Sequence, residues 1–120
     1  DLAFISLRLV LPVARRFLAE NGCAVCLIKP QFEAGREKVG KKGVVRDQAV
    51  HREVVRSIAD FAYAGGFSVA GLDFSPVKGP QGNIEYLMFL RKSDAPAMEI
   101  PDIGALVERS HRVLNGGEDP

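Results

Sequence analysis

Six consecutive apolar residues, Cys23-Ala24-Val25-Cys26-Leu27-Ile28, sit between Gly22 and Pro30. A short apolar run held between turn formers reads as a central strand buried on both faces, and such a strand needs helices packed against its sheet. The run stops at Lys29, which Pro30 fixes in place. A long loop rich in glycine and positive charge follows and opens into a helix near Asp47. A strand that hands one lysine to the mouth of a basic loop is the layout of an α/β site, where ligands lie beyond the carboxyl ends of strands.

Taken in order, residues 2–5 fit either a strand or the loop after one. Ser6 suits a helix N-cap, and Leu7, Val10, Leu11, Ala14, Phe17 and Leu18 recur at helical spacing. Pro12 either kinks that helix or begins it, and Asn21-Gly22 ends it. Asp47 caps the next helix, whose stripe is Val50, Val54, Ile58, Phe61 and Ala62, with Gly65-Gly66 as the stop. A strand over Phe67–Phe74 leads through the turn-rich residues 75–82 to a third strand over 83–91. In that third strand Ile84, Tyr86, Met88 and Leu90 share one face, and Glu85, Leu87 and Phe89 the other. The last two strands can pair as an antiparallel hairpin. A proline-bearing linker, 93–101, precedes a final helix over 102–114, and Gly116-Gly117 begin a polar tail. The pattern is α/β with about three strands, fewer than such a sheet normally uses.

The chain has 120 residues, one domain at most, and a net charge of +1, so overall charge announces neither nucleic acid nor membrane. Its distribution is more telling: Lys29, Arg36, Lys38, Lys41, Lys42 and Arg46 outnumber Glu33 and Glu37 in one loop. Such a surface suits a phosphate-bearing ligand, the plainer explanation being a solvated charge run. Cys23 and Cys26 have C-x-x-C spacing, but residues three apart on a strand face opposite ways, and no second pair completes a zinc set. They read as small core residues of a reduced, cytoplasmic protein. The apolar start is too short and too charged to span a membrane. The first residue is Asp1 rather than methionine, and the chain enters directly on Leu-Ala-Phe-Ile. Together with the small sheet, this reads as the second half of a Rossmann-like domain.

Two constellations could carry chemistry. Gly35 to Lys41 fits G-x-x-x-x-G-K, but Lys42 stands where serine or threonine should hold magnesium, and the glycines do not follow the strand directly. The second is Lys29 with Glu85. If the strand carrying Glu85 runs antiparallel to the one ending at Lys29, the two meet over one edge of the sheet. The bland reading is a salt bridge at the sheet rim; a glutamate inside an apolar strand does need a partner.

Four segments in order carry a further signal: Asp1-Leu2-Ala3-Phe4-Ile5-Ser6-Leu7, Leu27-Ile28-Lys29-Pro30-Gln31-Phe32-Glu33, Val39-Gly40-Lys41-Lys42-Gly43-Val44-Val45-Arg46-Asp47, and Ser75-Pro76 with Gly79-Pro80-Gln81-Gly82-Asn83-Ile84-Glu85-Tyr86. They resemble the TlyA family of FtsJ-like ribosomal RNA 2′-O-methyltransferases, also labelled haemolysins, over residues 1–92. The resemblance implies the second half of a Rossmann-like, S-adenosylmethionine-dependent methyltransferase fold, with 93–120 as linker, terminal helix and tail. It implies a catalytic Lys-Asp-Lys-Glu set, of which Asp1, Lys29 and Glu85 look like the aspartate, second lysine and glutamate. The first lysine, the glycine-rich cofactor motif and an amino-terminal RNA-binding domain lie upstream in the family, so the piece alone is expected to be inactive. The expected partner is ribosomal RNA or a ribosomal subunit. Arg36, Lys38, Lys41, Lys42 and Arg46 are expected to contact its phosphates, with Arg52 and Arg56 as extensions. Phe4 and Phe32 could line the site or serve packing. The rival readings are a non-catalytic RNA-binding module and, more remotely, a membrane-active haemolysin.

Overall fold

A computed structural model describes residues 6–40 and 42–115. The expected opening strand or loop, Asp1 and Phe4, then Lys41, and finally the Gly116-Gly117 tail lie outside the described residues. The elements are α1 (Leu7–Phe17), β1 (Cys23–Ile28), α2 (Pro30–Glu33), α3 (Gln48–Ala64), β2 (Phe67–Phe74), β3 (Tyr86–Lys92) and α4 (Ile103–Leu114), with single 3-10 turns at Arg36–Lys38 and Pro80–Gly82.

The sheet is antiparallel throughout, in the order β1-β3-β2. The β2–β3 hairpin forms as its pattern predicts. Residues 83–85 join the turn instead of the strand: Gly79 N–H donates to the Asn83 carbonyl at 2.7 Å and Ser75 N–H to the Glu85 carbonyl at 2.8 Å. Tyr86, Met88 and Leu90 of β3 face a core built with Phe67, Val69 and Leu72 of β2, five residues of α3 (Val54, Val55, Ile58, Ala59, Ala62) and Ile103, Leu106 and Val107 of α4. Each large aliphatic side chain among them contributes about 1.5–3 kcal/mol by leaving water.

One expectation fails. β1 is an edge strand of this sheet, and it is buried on one face only. Ile28 is fully buried and Cys26 half-buried, while Val25 and Leu27 are 63% and 37% exposed. Their cross-strand neighbours on the same face, Phe89 and Leu87, are exposed and half-buried. α3 and α4 cover the other face, and an apolar run records only that both faces tolerate burial. Cys23 is accordingly exposed rather than a core residue, and burial raises the thiol pKa of Cys26. The two cysteines are unbonded. The outer edge of β2 is covered by the linker, through Val69 N–H to the Ala97 carbonyl at 2.8 Å and Glu99 N–H to the Val69 carbonyl at 2.9 Å. That leaves less backbone open to stray pairing.

Ser6 caps α1 by accepting from Arg8 N–H at 3.0 Å. The buried carboxylate of Glu33 also holds this end, accepting from Ser6 Oγ at 2.6 Å, Leu7 N–H at 2.8 Å and Arg8 Nη1 at 3.3 Å. α1 runs through Pro12 and ends at Phe17, with Asn21 turning the chain in the left-handed region at φ 61°. Its expected stripe is only partly covered: Leu11 is buried and Leu7, Ala14 and Leu18 half-buried, but Val10 and Phe17 are 37% and 84% exposed. The helix lies against α3 by a narrow strip. α3 and α4 start on Asp47 and Asp102, whose carboxylates accept from Ala49 N–H and Ala105 N–H. No helix of the described residues is long and apolar enough to cross a membrane.

Candidate active site

The ladder between β1 and β3 ends on the pair Ile28 and Tyr86. Because the strands are antiparallel, the next position on each side is Lys29 and Glu85, so the topology brings the two predicted residues to the same end of the ladder. Lys29 sits half-buried at the N-cap of α2, its Nζ 5.4 Å from the centre of the Phe32 ring. Pro30 at the first helical position turns what the sequence suggests is plain loop into a helical turn, closed by Ala34 N–H on the Pro30 carbonyl at 2.9 Å.

Glu85 is 4% exposed. Lys29 makes no hydrogen bond or ion pair with it among the described residues. The carboxylate Oε2 instead accepts from Gln31 Nε2 at 2.9 Å. Gly79 lies against this carboxylate, and a Cβ there would collide with it. Sequence reasoning misses Gln31, although a polar residue one step beyond Pro30, in the turn that follows Lys29, is a usable signal. Its Nε2 must face Glu85, since an ionised carboxylate can only accept. That leaves Oε1 buried, with no hydrogen-bond partner among the described residues.

Lys29, Gln31 and Phe32 line one side of a pocket of about 240 Å³, with Val39 and Gly43 from the basic loop and Pro80 and Gln81 from the β2–β3 turn. Gln81 holds φ at 59°, an uncommon setting for a residue with a Cβ. The two loops are tied by Asn83, which is 1% exposed. Its Oδ1 accepts from Val45 N–H at 3.0 Å, and its Nδ2 donates to the carbonyls of Gly43 at 2.8 Å and Pro80 at 3.2 Å.

Behind this clamp lies a buried polar chain that sequence periodicity could not reveal. His51 Nε2 donates to the Val45 carbonyl at 2.8 Å, which fixes its tautomer. Its bare Nδ1 then accepts from His111 Nε2 at 2.8 Å. Ser110 Oγ donates to the Val107 carbonyl, so it accepts the Tyr86 hydroxyl proton at 2.8 Å. Burial pushes the Tyr86 hydroxyl up to about 12 and His51 down to about 4 from 6.5, with His111 lowered for the same main reason. Between pH 6.5 and about 4 the unfolded chain therefore binds a proton at His51 that the folded chain refuses. Stability is full above that window and falls as pH drops through it, by about 3 kcal/mol for this group. Proton NMR should find the His51 imidazole still neutral at pH 5; a midpoint near 6.5 would contradict this account.

Of the expected phosphate contacts, Arg36, Lys38, Lys42 and Arg46 are exposed on or beside the loop. Lys38 is already paired with Glu53 at 2.8 Å, and that hydrogen bond raises its pKa. Arg52 is exposed, and Arg56 lies 3.8 Å from Asp60.

Residues 1–92 match the family of FtsJ-like methyltransferases. The chain is 47% identical over 118 residues to the Bacillus subtilis protein named "Putative rRNA methyltransferase YqxC", covering 95% of this chain and 42% of that protein. It is 37% identical over 117 residues to "16S/23S rRNA (cytidine-2'-O)-methyltransferase TlyA" of Mycobacterium tuberculosis, covering 98% of this chain and 42% of that protein. A solved structure, "Putative hemolysin from Streptococcus thermophilus", superposes with a TM-score of 0.93 at 45% identity, over all of this chain and 44% of that one. The chain thus spans less than half the length of each of these three relatives.

Proposed function

This chain belongs to the FtsJ-like methyltransferase family, and from that premise we propose that it carries the hydroxyl-handling part of an rRNA 2′-O-methyltransferase site. The observation that carries the reading is the position of Lys29 and Glu85 at one end of the β1–β3 ladder, beside a pocket walled by Phe32 and Pro80. A ribose 2′-hydroxyl is a poor nucleophile until its proton is held or removed. The Lys29 side chain is placed to hold that proton while the O–C bond forms and the methyl's bond to the donor sulfur breaks. Glu85, fixed by Gln31 and by the close approach of Gly79, serves to orient the hydroxyl from the same end of the ladder. Asp1, outside the described residues, is the further carboxylate the resemblance implies for this set, whose first lysine lies upstream in the family. Aligned approach supplies much of the rate.

S-adenosylmethionine, the donor the family implies, would supply an electrophilic methyl. The described residues contain no glycine-rich turn directly after a strand of the kind that cradles such a nucleoside. The exposed cations Arg36, Lys38, Lys42 and Arg46, with Lys41, hold backbone phosphates, and Lys38 must give up Glu53 to do so. The acceptor class comes from the rRNA methyltransferases named among the relatives.

Glu85→Gln in the full-length protein tests the arrangement. A glutamine keeps the shape and can still accept from Gln31, so the melting temperature should stay within a few degrees. Transfer of labelled methyl to rRNA should fall by on the order of a hundredfold. Undiminished transfer would remove Glu85 from the site.

A further inference from the structure

Gln31 is tied on one side only. Its Nε2 donates to Glu85 Oε2 at 2.9 Å, while its Oε1 is buried with no hydrogen-bond partner among the described residues. Native proteins rarely leave such an oxygen unmatched, since it gives up its bonds to water and gains none, and each exception calls for a physical reason. The amide cannot turn over to relieve it, because the oxygen would then face the Glu85 carboxylate as a second acceptor. The oxygen is thus held where it can serve only an incoming N–H or O–H. Resting on the reading of Lys29 given above, we propose that Gln31 is a positioning residue for that lysine. When acceptor RNA enters the pocket, Oε1 accepts an N–H of the Lys29 amine while Nε2 keeps Glu85.

Reach identifies the donor. Besides Gln31 itself, only Lys29 and Gln81 among the side chains lining the pocket carry N–H groups. Gln81 is exposed on the β2–β3 turn, a separate wall. Lys29 is at the N-cap of α2 and Gln31 at its second position, with the stiff Pro30 between them, and both line the same pocket. The ammonium offers three donors, and none is engaged in a hydrogen bond or ion pair among the described residues. Its Nζ rests 5.4 Å from the centre of the Phe32 ring. Such a contact is weak where water still reaches the cation, so it is readily exchanged for a hydrogen bond when RNA displaces that water.

An amide suits this place better than a carboxylate would. A carboxylate against the amine favours the charged ammonium, which has no lone pair with which to hold the hydroxyl proton. A neutral amide oxygen accepts an N–H and orients the amine without fixing its charge. Through Gln31 the amine and the Glu85 carboxylate are set relative to one another without touching. That fits two residues at one end of the ladder with no ion pair between them.

Two measurements on the full-length protein test this role. The first needs no reaction: the side-chain amide NMR signals of Gln31 are followed while a single-stranded rRNA fragment is added. They should shift as RNA binds to the wild type and stay in place in Lys29→Met at matched occupancy. Signals that ignore bound RNA, or that shift equally in Lys29→Met, would overturn the proposal. The second is the rate. Gln31→Met should lower kcat for transfer of labelled methyl to rRNA by about a hundredfold, with KM for rRNA changed by less than about threefold. In the Lys29→Met background the same substitution should cost only a few-fold more, because groups that act as a unit are not lost twice. A residue that merely walls the pocket would raise KM, or cost the same factor in both backgrounds, and either result would overturn the positioning role. Thermal melting checks that Gln31→Met is folded, and the NMR measurement stands without that variant. A wild type that shows the Gln31 shift with RNA but labels no ribose 2′-oxygen would remove the methyl-transfer reading and leave the contact between Gln31 and Lys29 standing.

Discussion

Lys29→Met lowers methyl transfer to rRNA by about 10²–10⁴-fold, the range associated with losing a positioned acid–base group. Methionine retains the length and apolar stem of lysine and removes only the amine. The stem can keep its place beside Phe32, and the amine makes no hydrogen bond or ion pair among the described residues whose loss would disturb the fold. The loss should therefore fall on kcat, with rRNA affinity and melting temperature close to those of the wild type. Steady-state transfer from a labelled donor, with thermal melting as the control, separates the two. A variant that transfers methyl at the wild-type rate would show that the lysine is a rim charge, as the blander reading of its sequence allows.

Asn83→Ala costs the protein about 3 kcal/mol or more and lowers its melting temperature by roughly 10 °C. Asn83 satisfies three backbone groups with one side chain: the Val45 amide and the carbonyls of Gly43 and Pro80. Alanine leaves the Val45 amide without that partner, and a buried unsatisfied group costs about 1–3 kcal/mol. Asn83→Asp is no rescue, since it buries a charge and loses both donated bonds. Because this clamp ties together Gly43 and Pro80 in the wall of the pocket beside Lys29, methyl transfer should fall even well below the melting temperature. A melting temperature within about 2 °C of the wild type, read by circular dichroism, would mean that the loops are held by something else.

Much of this arrangement is legible in residue order. Asp47 and Asp102 mark helix starts, Gly65-Gly66 mark a stop, and alternation in 83–91 separates the face of Tyr86, Met88 and Leu90 from that of Leu87 and Phe89. That Lys29 and Glu85 stand at the same end of the ladder follows once β1 and β3 are antiparallel. What escapes depends on neighbours distant in sequence. The apolar run of β1 does not reveal that one of its faces is left open in this sheet. Helical spacing in α1 does not reveal that, of its stripe, only Leu11 is fully buried. Gln31, Asn83 and His51 are polar residues whose importance lies in partners far along the chain, and periodicity says nothing about partners. Glu33 reads in the sequence only as a charge within the basic loop, yet it holds the start of α1.

If the pocket beside Lys29 presents a ribose hydroxyl to a methyl donor, the position of the transferred methyl shows it. The most direct measurement is to incubate the full-length protein with rRNA and methyl-labelled S-adenosylmethionine, digest the RNA to nucleosides and locate the label. The expected result is label on a ribose 2′-oxygen with the wild type and its near disappearance with Lys29→Met. Label on a base, or equal 2′-O label with both proteins, would contradict this role for the pocket.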